Sequence, residues 1–116
     1  MGTEIARLTR PDGRVVCERC LVATSPLQRM RGLLGRRELP EGEGILLRRA
    51  GSIHTFFMRF PIDAVFLDRE QTVLRVAADV APWRAVGQRG AQAVVELAAG
   101  EAARRGVTVG ERLVSA

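Results

Sequence analysis

The sequence contains no Lys; all 18 of its basic residues are Arg. It also has no Tyr, a single His, a single Trp and two Cys in 116 residues. Each scarcity excludes something. Two Cys are too few for a disulfide-built scaffold, and one His cannot supply a histidine-rich metal centre. No apolar run approaches the length of a membrane-spanning helix. The first ten residues, MGTEIARLTR, lack the apolar stretch of a signal peptide, and Ala6 stands where a myristoylation signal has Ser or Thr. The expected location is therefore the cytoplasm. The missing Lys also tempers the basic pI of about 11.1. Arg, Ala, Gly and Val together read as the bias of a GC-rich genome. The Arg residues are interspersed with 13 acids, as on an ordinary solvated surface. Guanidinium nevertheless suits phosphate, and the doublets Arg36-Arg37, Arg48-Arg49 and Arg104-Arg105 are where a nucleic-acid patch could assemble.

What is present is concentrated. All four Phe and the only His fall between positions 54 and 66, in His54-Thr55-Phe56-Phe57-Met58-Arg59-Phe60-Pro61-Ile62-Asp63-Ala64-Val65-Phe66. Aromatics supply the largest burial per residue, so this stretch is expected to anchor the core. It also holds the side chain that ordinarily titrates nearest neutrality, and an Arg59/Asp63 pair. A chain of this length reads as one domain, able to bury roughly two-thirds of its unfolded surface without staples.

Alternation and turn residues lay out the elements. Glu4–Leu8 reads as a strand, Arg10-Pro11-Asp12-Gly13-Arg14 as a turn, and Val15–Ala23 as a second strand. Ser25, Pro26 and Gln28 form a helix-start signal, Leu27, Met30, Leu33 and Leu34 share one helical face, and Gly35 is a stop. An amphipathic helix over 26–34 follows. Further strands are expected at 44–48, 62–67, 72–77 and 93–97, with a short helical turn near 101–105 and a closing strand in the tail. His54–Phe60 reads as extended, which would put His54, Phe56 and Met58 on one face. The fold class is mainly β: a small closed or partly open barrel of about seven strands with the 26–34 helix packed on it.

Cys17 and Cys20 sit in the strand-like run RVVCERCLVA. Residues three apart on a regular strand face opposite ways, so the expectation is two independent, mostly buried thiols and no metal site.

Arg29-x-x-Gly32-Leu33-Leu34-Gly35-Arg36, then Phe56-Phe57-Met58-Arg59 and Pro61-Ile62-Asp63-Ala64-Val65-Phe66-Leu67-Asp68, occur in that order. Val95-Glu96-Leu97-x-Ala99-Gly100 and Gly106-Val107-x-x-Gly110-Glu111 follow. This pattern resembles the domain of unknown function 192 family over roughly residues 10–114. The resemblance implies a compact, barrel-like, β-rich domain of prokaryotic proteins and no established activity. The chain departs from the family in having only Phe60 between Met58-Arg59 and Pro61, in carrying Ala98 where a proline is frequent, and in lacking a secretion signal. The Cys pair is outside the family pattern.

Candidate ligand-binding residues are His54, Phe56 and Met58 lining one side of an apolar pocket, Arg59 or Asp63 near its mouth, and Trp83 on a loop. The plainer alternatives are a packed histidine, a structural Arg59–Asp63 ion pair, an Asp63 that bonds backbone amides, and Trp83 as a core lid. Three function classes stay open. The leading one is a binding module for a small ligand or peptide, as monomer or weak homodimer without a cofactor. An enzyme with His54 as general base comes next, then a weak binder of nucleic acid without sequence preference.

Overall fold

The computed structural model describes residues 4–24 and 36–116. Its strands are β1 (Glu4–Thr9), β2 (Val15–Ala23), β3 (Glu43–Arg48), β4 (Ser52–His54), β5 (Ile62–Leu67), β6 (Val73–Val80), β7 (Ala85–Gly87), β8 (Ala93–Ala98) and β9 (Val114–Ser115), with one short helix, α1 (Glu101–Arg104), between the last two. Seven strands form one sheet in the order β6-β5-β8-β3-β2-β1-β9, and β4 pairs with β7 as a separate ribbon. The 26–34 helix expected from the sequence lies outside the described residues.

The first hairpin closes as its residues dictate. Gly13 takes φ 89°, a conformation that costs glycine little, and its amide bonds the Arg10 carbonyl at 2.9 Å. The Asp12 carboxylate accepts the Arg14 amide at 2.9 Å. β2 then runs parallel to β3, and the β3–β8, β8–β5 and β5–β6 pairs are antiparallel. Gly44 lets β3 lie close to β8. A Cβ there would stand 2.8 Å from the Glu96 carbonyl oxygen and 3.1 Å from the Cys17 sulfur.

The sheet is a curled half-barrel with a hydrophobic cluster on each face. One cluster fills the curl with Leu8, Val16, Leu46, Val65, Leu67, Val95 and Leu113. The other, with Ile45, Leu47, Ile62, Ala64, Phe66 and Val94, packs against Ile53 and Met58. β5 is buried at every position, which is why its sequence is nearly continuously apolar. The tail spans the two sheet edges. β9 pairs with β1, and just before it Thr72 bridges Arg112 while the Val73 and Leu113 amides bond Glu111 and Gln71 carbonyls at 2.8 and 2.9 Å. This seam is a few bonds long.

Two expectations are corrected. Ala6 pairs with Cys20 and Leu8 with Cys17, so β2 advances three residues while β1 advances two. The bulge rotates the chain between the cysteines and sends both thiols into the same core. Cys17 also donates to the Gly42 carbonyl at 3.6 Å. Contact with Cys17, then burial, push the Cys20 thiol up, so the pair keeps a proton. The second correction concerns the aromatic stretch. The strand stops at His54, and residues 55–60 form a turn in which the Met58 amide bonds the Thr55 carbonyl at 3.2 Å. Pro61 then precedes β5 directly, and Phe57 takes φ 68°. A helix-like spacing of turn bonds has replaced alternation, so His54, Phe56 and Met58 do not share a strand face.

Candidate functional site

Thr55 organises the end of the molecule that carries the exposed rings. Its side chain has no exposed surface, and its hydroxyl donates to the Ala81 carbonyl at 2.6 Å while accepting the Arg84 amide at 2.8 Å. Its backbone amide bonds the Arg84 carbonyl at 2.8 Å, and its carbonyl accepts the Trp83 amide at 3.0 Å. One residue thus clips the 55–60 loop to the 81–84 loop. The ribbon continues the clip, with His54 opposite Ala85 and Ser52 opposite Gly87.

On this frame the aromatic rings meet. His54 stacks on Phe56 with centroids 5.1 Å apart and planes at 30°, and Phe56 stacks on Trp83 at 6.0 Å and 29°. Phe57 tilts against Trp83 at 4.7 Å and 59°. These contacts are favourable, yet they do not bury the rings. Phe56 is 39 % exposed, Trp83 56 % and Phe57 71 %. Phe57 and Trp83 also adopt φ 68° and 67°, a left-handed conformation that costs a bulky residue of order 1–3 kcal/mol. Large apolar groups held in a strained conformation and facing water are the opposite of what stability alone would select.

The other candidates separate from this cluster. Met58 points into the core beside Phe66, and so supports the site from beneath without lining it with His54. Arg59 is exposed on the same loop as Phe57. Asp63 is fully buried. Its carboxylate accepts the Asp79 amide at 2.9 Å and the Gly100 and Ala102 amides at 3.0 Å each. Asp79 is the bulged residue of β6, at φ 53°, and Gly100 and Ala102 open α1. Asp63 therefore satisfies amides that the bulge and the helix start leave without ladder partners. Among the described residues no ion pair joins it to Arg59. Its place is the interior, away from any mouth.

Two residues escape a reading of the sequence. Thr55 looks like a spacer between His54 and Phe56, and only the partners of its hydroxyl reveal its role. Glu96 lies in β8 among apolar neighbours, 3 % exposed, and its Oε1 has no hydrogen-bond partner. Burial pushes its carboxyl up to about 7. Its only signal in the sequence is a lone acid inside the apolar run AVVELA. Among the described residues no group of His, Cys, Asp and Glu is placed to hold a metal, and no helix is long and apolar enough to cross a membrane.

The sequence pattern of the DUF192 family, described as uncharacterised ACR, matches residues 8–115. The chain belongs to the DUF192 family. No curated protein matches it. Two crystal structures resemble this DUF192 chain closely. One is a protein of unknown function from Novosphingobium aromaticivorans, 25% identical, with a TM-score of 0.83 over 97% of this chain and 84% of the other. The second is a putative transcription regulator from Sinorhizobium meliloti, 27% identical, with a TM-score of 0.85 over 98% and 94% of the two chains. The DUF192 fold is thus shared along nearly the whole chain, and the family has no characterised activity.

Proposed function

We propose that this DUF192 chain is a binding module whose site is the exposed ring cluster of His54, Phe56, Phe57 and Trp83, taking a small ligand or a peptide. Arg59 borders the site, while Met58 and Asp63 hold the loops and strands beneath it. One observation carries the reading: Phe57 and Trp83 are more than half exposed, in left-handed backbone conformations, on loops that a buried Thr55 clips together. Such strain recurs where a ligand site needs a side chain aimed outward. Rings fixed in advance also bind without a large ordering cost. Among the described residues His54 has no hydrogen-bonded carboxylate or nucleophile, so no observation favours a general-base role for it.

Trp83 is the only Trp, so its fluorescence reports on this site alone. Aromatic carboxylates such as benzoate and indole-3-acetate, and short proline-containing peptides, are the probes. Binding should change Trp83 emission and shift backbone amide resonances of residues 52–59 and 81–87. Shifts confined to other surfaces, or no response to any probe, would remove the site.

A further inference from the structure

Charge is distributed unevenly around this cluster. Away from it, Arg residues meet acids: Arg10 with Glu111 at 2.8 Å, Arg105 with Glu18 at 2.9 Å, Arg104 with Glu101, and Arg36 with Glu43 at 3.9 Å. The two segments that build the ribbon and its loops, 49–62 and 80–95, contain Arg49, Arg59, Arg84 and Arg89 and not one Asp or Glu. Arg59, Arg84 and Arg89 enter no ion pair with a described carboxylate; the Arg84 guanidinium bonds only the Trp83 carbonyl, at 3.4 Å. These two acid-free segments carry the exposed rings, and Asp79, four residues before Trp83, is an exposed acid outside them.

Resting on the reading of this cluster as a binding site, we infer that beyond a small ligand or peptide it also takes a single-stranded nucleic acid, with bases stacked on the rings and phosphates met by Arg59 and Arg84. The argument is one of complementarity. A partner must offer apolar flat faces to Phe57 and Trp83 and negative charge to the guanidinium groups. A cationic partner would find no carboxylate in these two segments. A single strand carries both features at a short repeat, and stacking tolerates any base because every base has a π-face. A duplex hides its base faces, so this surface favours unpaired strands. An anionic membrane would also match the charge, but it gains from apolar tips that project singly. Here Phe57 and Trp83 lie together, with centroids 4.7 Å apart and 71 % and 56 % of their surfaces exposed, which leaves adjoining ring area for bases to stack against.

The test uses the whole chain and a fluorescein-labelled twelve-residue oligothymidine, read by anisotropy. An abasic deoxyribose-phosphate strand of the same length, a twelve-base-pair duplex and phosphatidylglycerol vesicles run beside it. The single strand should bind at least 10-fold more tightly than the abasic strand and the duplex. Phe57→Ala and Trp83→Ala should each weaken it roughly 10-fold with an unchanged melting temperature. Arg84→Gln should lower the slope of log affinity against log salt by about 0.7, the value for one lost single-strand phosphate contact. Equal binding of the abasic strand would reduce the surface to a polyanion patch and overturn the inference. So would binding to the vesicles alone, or a strand affinity that Phe57→Ala leaves unchanged. If the strand fails while benzoate or a peptide moves Trp83 emission, this inference falls and the ring cluster stays a site. If every probe fails, both fall.

Discussion

Asp63 is a carboxylate with no exposed surface, and Phe57, six residues earlier, is an apolar ring with 71 % of its surface in water. Both invert the ordinary placement of polar and apolar groups, and their surroundings separate the two cases. Around Asp63 the inversion is fully compensated, because three backbone amides that would otherwise be unpaired in the interior donate to its two oxygens. Among the described residues nothing compensates around Phe57. The ring gains one tilted contact with Trp83 and carries a strained backbone. A buried polar group whose every bond is answered is explained by the fold. An exposed apolar group held against its conformational preference is what the proposed binding role accounts for.

That contrast can be broken by substitution. The largest effect is expected at Asp63→Ala, which leaves three interior amides without an acceptor and should cost about 4 kcal/mol or more in denaturant unfolding. Asp63→Asn keeps the shape but replaces one accepting oxygen with an NH2 group, and should cost about half as much. A loss under 1 kcal/mol for both would show that the bonds at Asp63 are not what holds α1 and the β6 bulge.

Among the described residues, Glu96 is the polar interior group that is not compensated, and it should respond to pH in its own way. Its carboxyl is raised to about 7 in the folded protein by burial, against about 4.3 when unfolded. Between those values the native state holds a proton that the unfolded chain has released. The stabilising contribution of the neutral form is therefore complete below the unfolded value and is lost as pH rises through about 7, by about 4 kcal/mol in all. Glu96→Gln should flatten this part of the stability profile and make the protein more stable than the parent at pH 8. Parallel profiles from pH 4 to 8 would show that Glu96 ionises freely.

Thr55→Val keeps the volume and removes the hydroxyl. With its bonds to Ala81 and Arg84 gone, a loss of about 2 kcal/mol is expected, together with a shift in Trp83 emission as the two loops part. An unchanged emission spectrum would show that the backbone bonds of Thr55 suffice. Phe57→Gly should have the smallest effect on stability. Glycine accepts φ 68° without strain, so the change should lie within about 1 kcal/mol of zero, on the stabilising side. Phe66→Ala, in the buried strand β5, should by contrast cost roughly 3–5 kcal/mol. A large loss at Phe57 would make it a packing residue and erase the distinction between the two regions.

The strands were legible where local signals agree. Val15–Ala23 and Ile62–Leu67 have the bounds that β-branched and apolar runs suggest, and Asp68 closes the β5–β6 turn by accepting the Glu70 and Thr72 amides. Ribbon strand β7 escaped notice because Ala-Val-Gly is too short to show a period, and its pairing with β4 joins residues about 33 apart. The alternation read into 54–60 failed because a positive φ at Phe57 leaves no trace in residue type; a Gly there would have announced the turn. His54, Phe56 and Trp83 were recognisable as a set from their chemistry, but their stacking depends on a threonine hydroxyl reaching across 26 to 29 residues. Contacts of that separation are not written in local composition. The β2 bulge is similar, since pairing with β1 decides which way the thiols face.

The pairing of β1 with β9 has a consequence in time. Leu8 sits opposite Ser115, so the outer edge of β1 receives its partner only after residue 115 has been made. At ordinary synthesis rates that is roughly 5–20 s after Leu8 is joined. During that interval β1 can pair with β2 through a local turn, yet its free edge, with Ile5 half exposed beside it, is open to any strand that passes. Assembly of this fold thus has a vulnerable period set by the ribosome, and shortening or delaying the last turn of the chain should show first as aggregation during synthesis, ahead of any change in the finished protein.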